Sequence, residues 1–144
     1  MAMTRADRQQ AVKRLVRNRP MRTQAELVEA LRAEGFDVAQ ATVSRDIADL
    51  DLRKGRTGVY VLAEDERFRT MVAAAVRETR RAANQVIVIT DPGSASSVAA
   101  AIDAAQPDGV LGSIAGDDTI LVIGADEAAA RAFQESVDEA LAEK

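Results

Sequence analysis

Apolar residues recur with a helical period along the first part of the chain and run as short strand-like blocks in the second. In RADRQQAVKRLVRNRP, residues 5–20, Ala11, Val12, Leu15 and Val16 share one face, and Pro20 disfavours helix at Arg19. TQAELVEALRAEG, residues 23–35, predicts a second helix with Leu27, Val28 and Leu31 as its stripe. Thr23 and Glu26 stand at the spacing of a capping box, and Gly35 can end the helix in a left-handed conformation. In QATVSRDIADL, residues 40–50, Val43, Ile47 and Leu50 recur at i, i+4 and i+7. At about 100° per residue, Ala41, Ser44, Arg45 and Ala48 lie on the opposite face. LRKGRTGVYVL, residues 52–62, then reads as two short strands about a Gly-flanked turn. Three helices followed by a basic hairpin describe a winged helix.

The pattern changes after residue 63. AEDERFRTMVAAAVRETRRAAN favours helix by propensity, at least from Asp65 to Ala74. QVIVIT, residues 85–90, is a strand, DPGS turns the chain, and Ser94 is placed to cap a helix reaching about Ala105. Val98, Ala101, Ile102 and Ala105 form the stripe of that helix. GVLGSIA and TILVIG are two strands joined at GDD. The last segment, DEAAARAFQESVDEALAEK, is a helix with acids near its positive end and Phe133, Val137 and Leu141 on its apolar face. Strand, helix, hairpin, helix predicts a two-layer α/β sandwich with both helices on one face of a mostly antiparallel sheet. The expected fold class is therefore α+β: a winged helix-turn-helix domain at 1–63, a connector at 64–74 and the sandwich at 75–144.

Composition narrows the chemistry. Aromatic residues are 3% of the chain, so the cores must be built from Val, Ile, Leu and Ala. No run of 18 apolar residues and no basic-then-apolar leader is present, so a cytoplasmic protein without a membrane span is expected. Without Cys there are no disulfides or thiolate sites; without His, Ser-His and Cys-His catalysis are excluded and transition-metal chemistry is disfavoured. The net charge of −4 is uneven: residues 1–63 carry +4 and residues 64–144 carry −8. A basic front suits nucleic acid, and an acidic rear suits cations or simple solubility.

The polar face opposite Val43 and Ile47 is small and basic. Alanines and a serine around one arginine let a backbone approach a surface closely, as a helix does in a DNA major groove, where Arg pairs bidentately with guanine. The hairpin cations Arg53, Lys54 and Arg56 would meet phosphates. A solvated helix face is the plainer alternative. The helix-helix-helix-wing order and the positive charge confined to this half favour DNA.

At the rear, Asp117 and Asp118 stand side by side between two apolar runs. A hairpin turn that needs φ > 0 accounts for Gly116 and one Asp, but not for both. Ser96 and Asp103 are seven residues apart, together on the face away from Val98 and Ile102, where any amphipathic helix is polar. From Asn84 onward only Arg131 and Lys144 are basic. Carboxylates without internal cations suit an external one: a guanidinium or ammonium ligand, with Mg²⁺ as the competitor. An enzyme is disfavoured, because no nucleophile or His lies near the pair.

Five segments carry a resemblance: TQAEL at 23–27, QATVSRDIADL at 40–50, VYVL at 59–62, TDPGSASSVAAAID at 90–103 and LGSIAGDDTILVI at 111–123. Over nearly its whole length the chain resembles the bacterial arginine repressors. The resemblance implies a repressor that binds palindromic operator half-sites and regulates arginine biosynthesis, with catabolic genes left open. It implies trimers that stack into a hexamer, with L-arginine as corepressor between them and no metal. The DNA-contacting set would be Gln40, Thr42, Ser44, Arg45, Arg53, Lys54 and Arg56. The L-arginine set would be Ser96, Asp103, Asp117 and Asp118, with carboxylates on the ligand's guanidinium and ammonium groups. The family also places a strand around Ala75 to Arg81, against propensity. Two departures stand out. Ser96 is shorter than the polar side chain usual there, which leaves a different effector, or none, as the alternative. RRAAN replaces the usual Gly turn, so a looser or longer hairpin is expected.

Overall fold

A computed structural model describes residues 2–143. They form two compact units, divided between Ala63 and Glu64.

The first unit contains α1 (Arg5–Asn18), α2 (Gln24–Ala33), α3 (Gln40–Asp49), β1 (Leu52–Lys54) and β2 (Tyr60–Leu62). A full capping box starts α1: Thr4 Oγ1 accepts from Asp7 N at 3.1 Å, and Asp7 Oδ2 accepts from Thr4 N at 2.8 Å. In α2 the expected box is only half made. Thr23 Oγ1 accepts from Glu26 N at 3.1 Å, but the Glu26 carboxylate turns to Arg22 N at 2.7 Å. The helix ends in a Schellman pattern, with Phe36 N donating to Leu31 O, Gly35 N to Arg32 O, and Gly35 at φ +94°. The stripes meet in one core in which Val12, Leu27, Leu31 and Val43 are fully buried. Each such aliphatic side chain contributes about 1.5–3 kcal/mol. The antiparallel hairpin pairs Leu52 with Leu62 and Lys54 with Tyr60, and Tyr60 N donates to Met21 O at 2.7 Å.

The second unit holds α4 (Ala63–Ala75, from Glu64 onward), β3 (Val76–Ala82), β4 (Gln85–Thr90), α5 (Ala95–Ala105), β5 (Val110–Ala115), β6 (Thr119–Gly124) and α6 (Glu127–Ala142). The sheet runs β3-β4-β6-β5, antiparallel at every pairing. Val86 and Val88 of β4 and Ile120 and Val122 of β6 point to one face. They share a single core with Val98 and Ile102 of α5 and Phe133 and Val137 of α6, so both helices cover that face. Phe68 and Val72 of α4, inside the stretch expected as a connector, join the same core, and the Phe68 and Phe133 rings lie 6.3 Å apart. The alternate residues Ile87, Ile89, Leu121 and Ile123 remain partly exposed on the other face. On the edge strand β5, Leu111 and Ile114 are 71% and 74% exposed.

The strand that the resemblance implies around Ala75 to Arg81 is present as β3, and local helix propensity yields because its ladder to β4 runs from Val76–Thr90 to Ala82–Gln85. The hairpin at RRAAN, expected to be looser or longer, is instead tight. Only Ala83 and Asn84 separate the strands, and Ala83 takes φ +53° in place of glycine. Asn84 repays this by clasping Gly124: its Nδ2 donates to Gly124 O at 3.1 Å, and its own carbonyl accepts from Gly124 N at 2.8 Å.

Gly109, just before β5, has φ +75°, and a Cβ there would lie 2.6 Å from Ala129 Cβ. Strain and overlap act together, so Gly109→Ala should destabilise the chain by about 2 kcal/mol or more. Urea unfolding measures this; an unchanged midpoint would mean that α6 shifts freely away from β5.

Candidate functional site

In the first unit the exposed face of α3 is built by subtraction. Val43 is buried and Ile47 and Leu50 pack against the core, so Gln40, Ala41, Ser44, Arg45 and Ala48 are left exposed and Thr42 is half-buried. Ser44 and Arg45 make no side-chain hydrogen bond or ion pair among the described residues. Ala39, the N-cap, offers no side-chain cap, and the first turn of α3 carries no acid. The positive end of α3 is therefore open to an anion.

Beneath this face lies a residue that sequence reasoning missed. Asp46 is buried, 1% exposed, and accepts from Arg8 Nε at 2.5 Å, Arg8 Nη2 at 3.0 Å and Gln9 Nε2 at 3.2 Å. Its signal was faint. It sits three residues after Val43, on the flank of the apolar stripe, where a carboxylate needs a cation from another helix. Burial alone would raise its pKa, but hydrogen bonds from Arg8 and Gln9 and the charges of Arg8 and Arg5 hold it below the usual carboxylate range. The Arg8 guanidinium is raised in turn, chiefly by its hydrogen bond to Asp46. A depressed carboxyl stabilises the fold above its unfolded pKa of about 3.9, and that contribution is lost as pH falls through the folded value. Thermal melting of the full chain should therefore drop steeply below about pH 4, and Asp46→Asn should flatten that acid limb. Identical acid limbs would show that Asp46 does not carry this linkage.

The hairpin cations are held differently from one another. Arg53 is paired with Asp51 through contacts of 3.2 and 3.3 Å. Lys54 lies 5.4 Å from the centre of the Tyr60 ring. Arg56 is exposed at the tip, where Arg22 Nη1 donates to Thr57 O at 2.7 Å. Exposed pairs such as Arg53–Asp51 contribute about 0–1 kcal/mol, so a phosphate can replace the carboxylate.

In the second unit, Asp117 and Asp118 occupy the β5–β6 turn, both exposed. None of Gly116, Asp117 and Asp118 has a positive φ. The expectation of a left-handed turn is thus corrected: Gly116 N donates to Thr119 O at 2.8 Å, and the turn closes in ordinary backbone geometry. Neither aspartate is required by the backbone. The pair's carbonyls hold the local frame, since Ala95 N donates to Asp117 O at 3.1 Å and Thr90 N to Asp118 O at 2.8 Å. The first of these bonds serves the start of α5, where Ser94 occupies the N-cap but makes no side-chain cap bond, contrary to expectation. Of the carboxylates, Asp118 accepts only from its neighbour Thr119 at 3.0 Å, and Asp117 has no partner among the described residues.

The Asp117 turn is thereby brought to the α5 start, one residue before Ser96. Asp103 lies seven residues along α5, about 10 Å farther, where it accepts from Ser113 Oγ of β5 at 3.0 Å. Among the described residues no group of three or more acids is gathered as a metal cage. No described helix is long and apolar enough to cross a membrane.

Comparison with known proteins agrees along most of the chain. Residues 3–68 match the family model described as the arginine repressor DNA binding domain, and residues 72–139 match that of the arginine repressor C-terminal domain. An arginine repressor of Solibacter usitatus is 43% identical over 138 residues, covering 94% of this chain and 95% of the relative. One from Thermus thermophilus is 41% identical over 91% of this chain and 87% of its own length. One from an Anaeromyxobacter species is 48% identical over 87% and 82%. With a DNA-binding unit carrying a bare arginine–serine face, and a C-terminal unit carrying an aspartate pair that its turn does not need, the chain belongs to the arginine repressor family.

Proposed function

We propose that this repressor binds operator DNA more tightly when L-arginine occupies the C-terminal unit. In this reading α3 enters the major groove. Arg45 and Ser44 contact base edges, Gln40 and Thr42 flank them, and Arg53, Lys54 and Arg56 bind phosphates. Asp117 and Asp118, with Asp103 and Ser96, hold the guanidinium and ammonium groups of the ligand. The observation that carries the ligand reading is the turn itself: two adjacent exposed carboxylates without a backbone reason and, among the described residues, without an ion-pair partner. A guanidinium donates two parallel, charge-assisted hydrogen bonds to the oxygens of such a group.

The roughly 10 Å between Ser96 and Asp103 along α5 is more than one small ligand's head group spans. A site completed by a second copy relieves that, with acids from two chains on one ligand. The exposed Leu111 and Ile114, beside the partly exposed isoleucines of the sheet, favour self-association of this unit, as trimers that pair into a hexamer. Arginine binding then tightens the assembly, and several weak winged helices act together on paired half-sites. The genes controlled are those of arginine biosynthesis, within the cytoplasm. No metal enters this scheme. The family is one of transcriptional repressors, and this reading gives the chain a binding role and no catalytic one.

Ser96 favours a second reading, in which the effector differs or is absent. Fluorescence anisotropy of the full-length protein on a palindromic operator-like duplex at fixed salt separates the two. L-arginine should tighten binding while lysine and citrulline do not. Tight binding indifferent to arginine would transfer the conclusion to the second reading.

A further inference from the structure

We infer that Asp46 and Arg8 form a positioning device: their buried pair fixes the rotation of α3 about its axis and so aims Ser44 and Arg45. The inference rests on the reading of α3 as the DNA-contacting helix.

Two rungs join α1 to α3 at matched spacing. Arg5 and Arg8 are three residues apart on α1, and Asp46 and Asp49 are three apart on α3. Arg8 meets Asp46 in the interior through both Nε and Nη2, while Arg5 Nη2 meets Asp49 Oδ2 at 2.6 Å on the surface. Side-chain exposure is 18% and 1% for the inner rung but 67% and 45% for the outer. The inner rung is therefore the directional one.

Apolar packing alone holds α3 weakly in azimuth. Of its own residues only Val43 is a buried apolar side chain, and Ile47 and the following Leu50 are half-buried. Hydrophobic contact is non-directional, whereas a bidentate pair restricts angle as well as distance. Asp46 directly follows Arg45, so its anchoring sets the direction of Arg45 about 100° away and of Ser44 about 200° away. A rotation of about 20° would carry a side chain at a radius of about 6 Å through about 2 Å. Hydrogen bonds to base edges tolerate a few tenths of an ångström. Buried ion pairs also add little net stability compared with apolar replacements, and their best-attested use is to specify register.

The test uses the full chain at fixed salt and fixed L-arginine. The probes are a duplex that the wild-type chain enriches from a randomised library and a scrambled duplex of equal length. Three variants are compared: Asp46→Asn, Arg8→Lys, and the apolar double variant Arg8→Met with Asp46→Leu. Each is measured at a temperature where circular dichroism shows it folded. The affinity ratio between probes should fall about tenfold or more in Asp46→Asn and in the double variant, because displaced side chains lose base contacts. Affinity for the scrambled duplex and its salt slope should stay within about twofold, since phosphate contacts are untouched. The library sequences enriched by the variants should also broaden.

A double variant that keeps the wild-type ratio overturns the inference, as does a proportional loss on both probes. If Asp46→Asn does not fold, Arg8→Lys and the double variant decide. If the wild type enriches no sequence, or Arg45→Ala leaves the ratio unchanged, the reading of α3 itself fails and the inference falls with it.

Discussion

Arg45→Ala is expected to remove most sequence discrimination while leaving the fold and non-specific DNA binding in place. Arg45 is exposed, makes no side-chain hydrogen bond or ion pair among the described residues, and sits mid-helix where alanine is favourable. Its loss therefore breaks no polar tie that holds the fold. A bidentate arginine–guanine pair discriminates by about 1–3 kcal/mol, roughly five- to 150-fold for one half-site. Two half-sites bound by one assembly multiply that factor, so operator affinity should fall by about 25-fold or more. Affinity for random DNA comes from phosphate contacts and should change by about threefold at most. Anisotropy titrations on both duplexes check this at one stated salt concentration. Equal losses on the two would assign Arg45 to a phosphate and move base reading elsewhere on the face.

Asp118→Asn is expected to abolish the response to L-arginine. The amide keeps the shape of the carboxylate and can still accept from Thr119, so the turn survives. What it lacks is the charge. Removing one partner of a desolvated, hydrogen-bonded charge pair costs about 2–5 kcal/mol, or about thirtyfold to several thousandfold in ligand affinity. Coupling between sites is commonly about 1–3 kcal/mol, so arginine should tighten wild-type operator binding about five- to 150-fold. At the same arginine concentration the variant should show less than about a twofold change. Calorimetry with L-arginine gives the direct readout. Because the β5–β6 turn has no positive φ, a variant that binds arginine normally could not be explained by altered backbone demand. It would remove Asp118 from the ligand site.

Periodicity was most informative where one side of an element meets a core and the other meets water. The stripes Ala11–Val12–Leu15–Val16 and Leu27–Val28–Leu31 are buried as read, and the strand QVIVIT runs over Gln85–Thr90. The aspartate pair was visible as a charge pattern without an internal cation. It was not visible that the turn lacks left-handed residues, because backbone dihedrals there depend on the ladder between β5 and β6. The strand at residues 76–82 illustrates the same limit. Its Arg, Glu and Ala residues favour helix locally, and only pairing with β4 along its length outweighs that preference.

The sequence by itself determined the segmentation into helices and strands apart from residues 76–82, the two opposed charge domains, and the residue types at both candidate sites. These follow from local spacing and side-chain chemistry, which act over a few residues. Only the tertiary structure decided that Asp46 is buried on Arg8, that the Asp117 carbonyl meets the start of α5, and that Asp103 accepts from Ser113 of β5. Those facts depend on which distant segments pack together. A carboxylate on a helix flank reads alike whether it faces water or a guanidinium contributed from 38 residues away, and packing alone chooses between them.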